Sequence, residues 1–395
     1  MTHFRLSATL GLFVALAACA GAAPTAPPAD AAPAWTADIF KAKAHGYAGY
    51  RIPALVAAKD GTLLAFAEGR KNSLADHGDI DLVVADSKDG GKTWSEPRVI
   101  ADMGKDYIGN PAAVVDTRDG AITVLLTWKV DGAQEGAIRA GKQPATAIWS
   151  VRSTDNGKTF SKPVAQAALN AELQKRGWRW NIPGPGHAVQ LAHGAHAGRL
   201  VCAANHSASG GPGNAHLGCN AFLSDDGGKT WRLGAVDAAP AGGRQGAAVY
   251  PNESTAAELP DGTLVFNTRD QGGPAPGSRG ATRSTDGGET FTAPYAADPG
   301  LVGPVCQGAL LAGEDLAGKP VLLASLPADP KERKKLQIRL SRDGGKTWLP
   351  GPVLTEGLAA YSDIVQLAPG RFLAVVEVDG YQGIRAMPFE VPGER

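Results

Sequence analysis

The chain lacks net charge: its 395 residues carry 39 Lys and Arg against 39 Asp and Glu. So even a balance gives no global electrostatic case for nucleic acid or an anionic membrane as partner, and any recognition of an anion has to be local. Cysteine is scarce, with four in all, and no Cys-x-x-Cys or His-x-x-x-His spacing suggests a structural metal. The apolar stretch from Leu6 to Ala18, which follows Arg5, is too short to span a bilayer comfortably and has the make-up of a signal peptide.

That stretch ends in Leu16-Ala17-Ala18-Cys19, a lipobox-like run, so residues 1–19 read as a signal peptide of lipoprotein type with Cys19 acylated. The alternative is cleavage after the small residues near Ala22 or Ala23. Residues 20–35 are rich in Ala and Pro and almost free of bulky apolar side chains, the composition of a tether that cannot offset its own ordering entropy. The expected location is outside the cytoplasm, as a periplasmic or outer-membrane lipoprotein or a secreted protein, with membrane contact only through the lipid. In such an oxidising compartment Cys202 and Cys219, on two apolar runs flanking a Gly-rich loop, are candidates for a disulfide. Cys306 is then left over as a small buried hydrophobe.

What the sequence does have is a repeat. The pattern Ser-x-Asp-x-Gly-x-Thr-aromatic occurs five times, starting at Ser87, Ser153, Ser224, Ser284 and Ser341, with spacings of 66, 71, 60 and 57 residues. A recurring unit of that length is a supersecondary element used several times around one core. Each copy follows a short apolar strand and centres on turn residues, so each describes a hairpin. Within it the Asp carboxylate is expected to accept turn N–H groups while the Trp or Phe packs between sheets. Further strands such as Gly61–Phe66, Ala121–Leu126, Gly262–Phe266 and Gly370–Val376 follow tight turns, and about four strands fit each ~60-residue period. The expectation is an all-β, six-bladed β-propeller over residues 36–395. Its sixth blade is to be closed by residues 351–395 with an N-terminal strand near 36–40.

The five repeats are Asp boxes, and from about residue 36 onward the chain resembles the bacterial sialidase (neuraminidase) family. The boxes speak for the fold and not for chemistry, since each is read as a turn staple far from any active face. The chemistry rests on other matches. Tyr50-Arg51-Ile52-Pro53 resembles the family's F/Y-R-I-P motif, whose arginine is the first of a triad; Arg269 resembles the second and Arg333 the third, with Arg339 the rival. Three guanidinium forks suit a permanently ionised carboxylate such as sialic acid carries, because arginine is planar, bidentate and always charged. Glu377 resembles the glutamate that orients the first arginine.

The resemblance further implies Tyr361 as nucleophile and Glu253 as its partner, with Glu258 the competing glutamate. Tyrosine-nucleophile sialidases are a recognised exception to the two-carboxylate scheme of glycoside hydrolysis. A neutral phenol avoids the like-charge repulsion that a carboxylate would meet at a carbon already bearing one. Asp76, on the loop Arg70–Asp81, resembles the acid/base; Asp79 and Asp81 are expected to fix the turn instead. Arg70 resembles an additional arginine reaching the sugar, and Asn110 falls at the N-acyl pocket, with Asp106 its rival. Trp178, Trp180 and the run Gly184–His187 resemble a loop near the rim, one of the two tryptophans being expected to pack. Tyr107, Tyr250 and Tyr295 sit in no matching motif, and His206 and Gln307 suggest no role.

The implied activity is exo-α-sialidase hydrolysis with retention of configuration, needing no metal or organic cofactor. Its partners would be sialylated glycoproteins, glycolipids or oligosaccharides, and the chain is expected to be a monomer. A trans-sialidase, intramolecular or not, would share every residue named above. A sialic-acid-binding lectin propeller would be expected to lose Tyr361, Glu253 or Asp76.

Overall fold

Runs such as Leu63–Arg70 and Ile80–Ser87 have continuous apolar centres, Leu63–Ala67 and Leu82–Ala85, and form strands buried on both faces, as strands stacked between neighbouring sheets must be. A computed structural model of the chain describes Met1 and residues 33–208, 216–239, 249–272 and 278–394. The expected signal peptide 1–19 and tether 20–35 lie outside the described residues, apart from Met1 and residues 33–35.

The strands form four hydrogen-bonded sheets, and their antiparallel pairings group into six successive units, the first and second joined by a parallel bridge from Ile80 to Tyr107. The first holds Gly49–Ala57, Leu63–Arg70, Ile80–Ser87 and Arg98–Ala101. Tyr107–Val115, Ile122–Lys129, Ala147–Ser153 and Val164–Ala165 make the second. In the third, Trp178–Pro183 and Val189–Gln190 share one edge of Leu200–Ala208, followed by Leu217–Ser224 and Arg232–Asp237. The fourth is Pro251–Glu258, Leu264–Asp270, Ser278–Ser284 and Ala296–Val302. Ala309–Glu314, Pro320–Pro327 and Lys334–Ser341 form the fifth with the first half of the long strand Leu349–Ala368. The second half of that strand opens the sixth, which continues through Arg371–Val378 and Gly383–Glu390. Its outer edge is Ala37–Lys41, paired to the C-terminal strand from Ala37↔Ala386 to Lys41↔Gly383.

Apolar clusters lie between each unit and the next, including one that joins the sixth to the first through Leu373, Val375, Leu63 and Val83. The ring is therefore closed, which is how a propeller hides its sheet edges. Two short helices not foreseen from the sequence, Glu135–Arg139 and Ala167–Lys175, lie beside the second and third units; the longer one buries Leu169 and Leu173, four residues apart, against Trp178.

All five Asp boxes join the last two strands of a unit. In the first unit Arg70 pairs with Ile80 at one end, and Leu63 pairs with Ser87, where the box begins, at the other. Seven residues of strand, roughly 23 Å, separate the two ends. The expected disulfide is absent: Cys202 and Cys219 are both free and buried. Cys219 lies opposite Asn205, three residues from Cys202, so the two thiols leave opposite faces of the sheet.

Candidate active site

At the end away from the boxes, five units have a break in register near their innermost strand. The shifts fall between Arg51 and Ala54, Gly109 and Ala112, Trp178 and Trp180, Pro251 and Ser254, and Ala359 and Ser362. An extra residue in one strand bends it and re-aims its side chains. Arg51, Asn110, Trp180, Glu253 and Tyr361 all lie at these breaks. Ile52 and Asn110 take left-handed backbone angles (φ 59° and 50°), a costly conformation for a β-branched residue. The Ile52 N–H donates to Glu377 at 2.8 Å, which holds it there.

The breaks surround a cleft of about 480 Å³ that Asp76, Asn110, Glu253, Arg269 and Tyr361 help to line. At its floor Tyr361 Oη donates to Glu253 Oε1 at 2.5 Å. Arg269 Nη1 donates both to Glu253 Oε2, at 2.8 Å, and to Tyr361 Oη, at 3.0 Å. Burial and the Glu253 charge push the Tyr361 phenol well above its ordinary range, so the resting side chain keeps its proton. Cys306 packs beneath the ring with Ile52 and Ala360, and burial raises its thiol to about 11, which leaves it inert.

Arg51 is clamped from behind. Its Nε and Nη2 each donate to Glu377 at 3.0 Å, and the Tyr361 N–H donates to the same carboxylate at 3.2 Å. Arg333 donates to the Tyr381 hydroxyl at 3.0 Å and to the Val305 carbonyl at 2.9 Å. The guanidinium carbons of Arg51 and Arg333 stand 5.0 and 5.5 Å from the centre of the Tyr361 ring. With Arg269 on the hydroxyl, three arginines from three units thus converge on one tyrosine.

Across the cleft, Arg70 donates through Nε and Nη2 to Glu68 Oε2 at 2.9 and 2.6 Å, while its Nη1 lies 2.8 Å from Asp76 Oδ1. Arg51 Nη1 is 3.6 Å from the same oxygen. The Asp76 side chain is largely exposed, yet the crowded cleft desolvates its carboxyl in part and raises it; Arg70, Arg51 and Lys129 outweigh this, and the net displacement is downward. Tyr107 donates to Glu68 at 2.5 Å and accepts from Asn110 Nδ2 at 2.6 Å. Lys129 donates to the Asp76 carbonyl at 2.5 Å. Glu68, Tyr107, Lys129 and Tyr381 are site residues that motif reading passes over.

The rivals fall elsewhere. Arg339 sits in mid-strand opposite Ala324 and Pro350. Glu258 accepts the Ala192 and His193 N–H groups at the Asp-box end. Asp106 accepts from Trp128 Nε1 and the Asp131 N–H. Asp79 and Asp81 bind Lys71, and Asp81 also accepts from Tyr47. Trp178 stacks on His206 at 3.4 Å, so it is the tryptophan that packs, whereas Trp180 lines the cleft.

The run Gly184–His187 is a correction: it lies not at the rim but among the innermost strands. Gly184 N–H donates to Ala203, and its carbonyl accepts from the Ser254 N–H. The Pro185 carbonyl accepts from Gln307, and His187 Nδ1 lies 2.6 Å from Asp363. Gln307 also exchanges hydrogen bonds with the Ser362 backbone. The loop thereby ties together the neighbours of Glu253 and Tyr361, which gives Gln307 a structural task.

A family model described as a BNR repeat-like domain matches residues 61–373. The chain is 31% identical over 343 residues to a sialidase of Micromonospora viridifaciens, covering 83% of this chain and 49% of that protein. An exo-alpha-sialidase of Aspergillus fumigatus is 30% identical over 320 residues, 75% of this chain and 69% of the relative. Among solved structures, Hadza microbial sialidase Hz136 superposes with a TM-score of 0.74 at 25% identity, covering 90% of this chain and 68% of that one. The chain therefore spans about half the length of its Micromonospora relative.

Proposed function

The chain belongs to the BNR-repeat sialidase family, and from that premise we propose that it is an exo-α-sialidase, releasing terminal sialic acid from glycoproteins, glycolipids or oligosaccharides with retention of configuration. The observation that carries this reading is the 2.5 Å hydrogen bond from Tyr361 to Glu253, with Arg51, Arg269 and Arg333 gathered on the same tyrosine. Arg51, Arg269 and Arg333 clamp the substrate carboxylate, and Glu377 fixes the first of them. Arg70 and Asn110 contact the rest of the sugar.

Tyr361 attacks the anomeric carbon as Glu253 takes its proton. A carboxylate nucleophile would meet the substrate carboxylate with roughly 4 kcal/mol of repulsion at 4 Å and an effective dielectric near 20, a penalty that the phenol avoids. Asp76 protonates the departing oxygen and afterwards activates the water that releases the sugar. In the free protein the neighbouring cations hold Asp76 ionised. A substrate carboxylate arriving on Arg51 competes for one of them and covers the loop, and both effects raise the Asp76 carboxyl toward the proton-donating range.

The test is proton NMR of the products from an aryl sialoside. Free sialic acid should emerge first as the α anomer. Release of the β anomer first would remove Tyr361 as nucleophile, and saturable binding without release would make the chain a lectin.

A further inference from the structure

Asp76 lies on a loop, residues 71–79, with no regular secondary structure, and its side chain is 78% exposed. Its carboxyl group is held by Arg70 at 2.8 Å, with Arg51 farther off at 3.6 Å. Two cations hold the loop backbone: Arg70 Nη1 donates to the Leu74 carbonyl, and Lys129 Nζ donates to the Asp76 carbonyl at 2.5 Å. Lys129 comes from a different unit, at the end of the strand Ile122–Lys129, where it pairs with Tyr107.

Lys129 is only 4% exposed, and among the described residues it makes no ion pair within 4.0 Å. An ammonium buried without a carboxylate partner is costly, and few lysines are found so. Its Nζ stands 4.3 Å from the centre of the Tyr107 ring and 5.2 Å from that of Trp180, contacts that offset part of the cost. Among the described residues its one hydrogen bond goes to the backbone of the residue that must present a proton to the leaving group.

We propose that Lys129 is a positioning residue for Asp76, holding the loop backbone so that the carboxyl group reaches the glycosidic oxygen. This rests on the reading of Asp76 as the general acid. The charged and titratable groups facing Lys129 are Glu68 and Arg70 from the first unit, Asp76 from the loop, Tyr107 from its own unit and Glu135 from the short helix. Burial outweighs the carboxylates among them and lowers the ammonium to about 8. Above that pH a neutral amine makes a weaker hydrogen bond and loses its attraction to the two rings.

The test compares kcat/KM for two substrates in the full chain: sialyllactose, whose leaving alcohol needs a proton, and a 4-nitrophenyl sialoside, whose phenol does not. Lys129→Met should lower kcat/KM for sialyllactose at least ~10-fold and for the aryl sialoside less than ~3-fold, the signature of impaired acid catalysis. Equal losses on both substrates would reduce Lys129 to a structural role and overturn the proposal. Asp76→Ala serves as the reference. If Asp76→Ala is selective and Lys129→Met is not, only the Lys129 inference falls; if Asp76→Ala is not selective, the general-acid reading falls and takes the inference with it. Lys129→Arg covers the case in which the methionine variant does not fold. It should keep the wild-type substrate ratio and move the alkaline limb near pH 8 in sialyllactose hydrolysis out of range, since arginine stays charged there. An unmoved limb would count against Lys129.

Discussion

The two ends of each propeller unit are built on opposite plans. At the Asp-box end the staple within each box is local: Asp89 accepts the Lys92 and Thr93 N–H groups at 3.0 Å and the Thr93 hydroxyl at 2.7 Å, all within four residues. The same contacts to the threonine recur at Asp155, Asp226, Asp286 and Asp343. At the cleft end decisive partners are distant in sequence, 326 residues apart for Arg51 and Glu377 and 108 for Tyr361 and Glu253, although Arg70 and Glu68 are only two apart. The first plan is exposed, repeated and tolerant of loss. In the second, buried groups such as Arg51 and Tyr361 depend on a partner delivered by another unit, so precision is gained and redundancy lost.

The sharpest way to test that contrast is Tyr361→Phe. The hydroxyl is the reacting atom in the proposed mechanism, and its loss leaves Glu253 still bound by Arg269 at 2.8 Å. Turnover should fall about a thousandfold or more, equivalent to ~4 kcal/mol of barrier, with the melting temperature nearly unchanged. A comparable loss of stability alongside the loss of rate would show that the hydroxyl mainly holds the cleft together.

Glu377→Gln probes the same end with a smaller effect of a different kind. The carboxylate accepts from Arg51 twice and from the Ile52 and Tyr361 N–H groups. An amide there turns an NH₂ toward a guanidinium and leaves Arg51 buried without its counter-charge. Stability should drop by about 3 kcal/mol, read by denaturant melts, and KM should rise as the carboxylate clamp loosens. Unchanged stability would mean that Asp76, 3.6 Å from Arg51, takes over as partner.

The contrast also explains what could be read in advance. An Asp box is legible because all its hydrogen bonds lie inside eight residues, so pattern and geometry are the same information. Arg51, Glu253, Tyr361 and Asp76 stand out only by family resemblance, since nothing local marks an arginine before an apolar strand as a clamp. The register breaks that aim these residues escape the sequence because Pro53, Ser362 and Asp363 suit a turn or a sheet edge as well as a bulge, and the partners that decide are far away in the chain. Lys129, Glu68 and Tyr107 read as ordinary strand residues for the same reason, their partners being supplied by the ring. The cysteine pair failed on parity: two apolar runs either side of a loop fix which strands pair, but not which residues share a face.

The smallest effect belongs to the boxes. Asp89→Ala removes the acceptor of four hydrogen bonds in an exposed hairpin, one of five such staples. The melting temperature should fall by only about 1–3 °C, and kcat/KM should not change, because the cleft is roughly 23 Å away along the strands. The pH dependence gives the sign. Hydrogen bonds from the neighbouring threonine and turn N–H groups hold Asp89, Asp155 and Asp343 at about 2, below the ordinary 3.8; at Asp343 they do so against burial. Since the folded value is the lower one, the ionised boxes stabilise the fold fully above about pH 4, and that contribution is lost as pH falls toward 2. The melting difference between wild type and Asp89→Ala should therefore be constant above pH 5 and narrow between pH 4 and 2. A change in sialoside turnover at neutral pH would break the separation of the two ends.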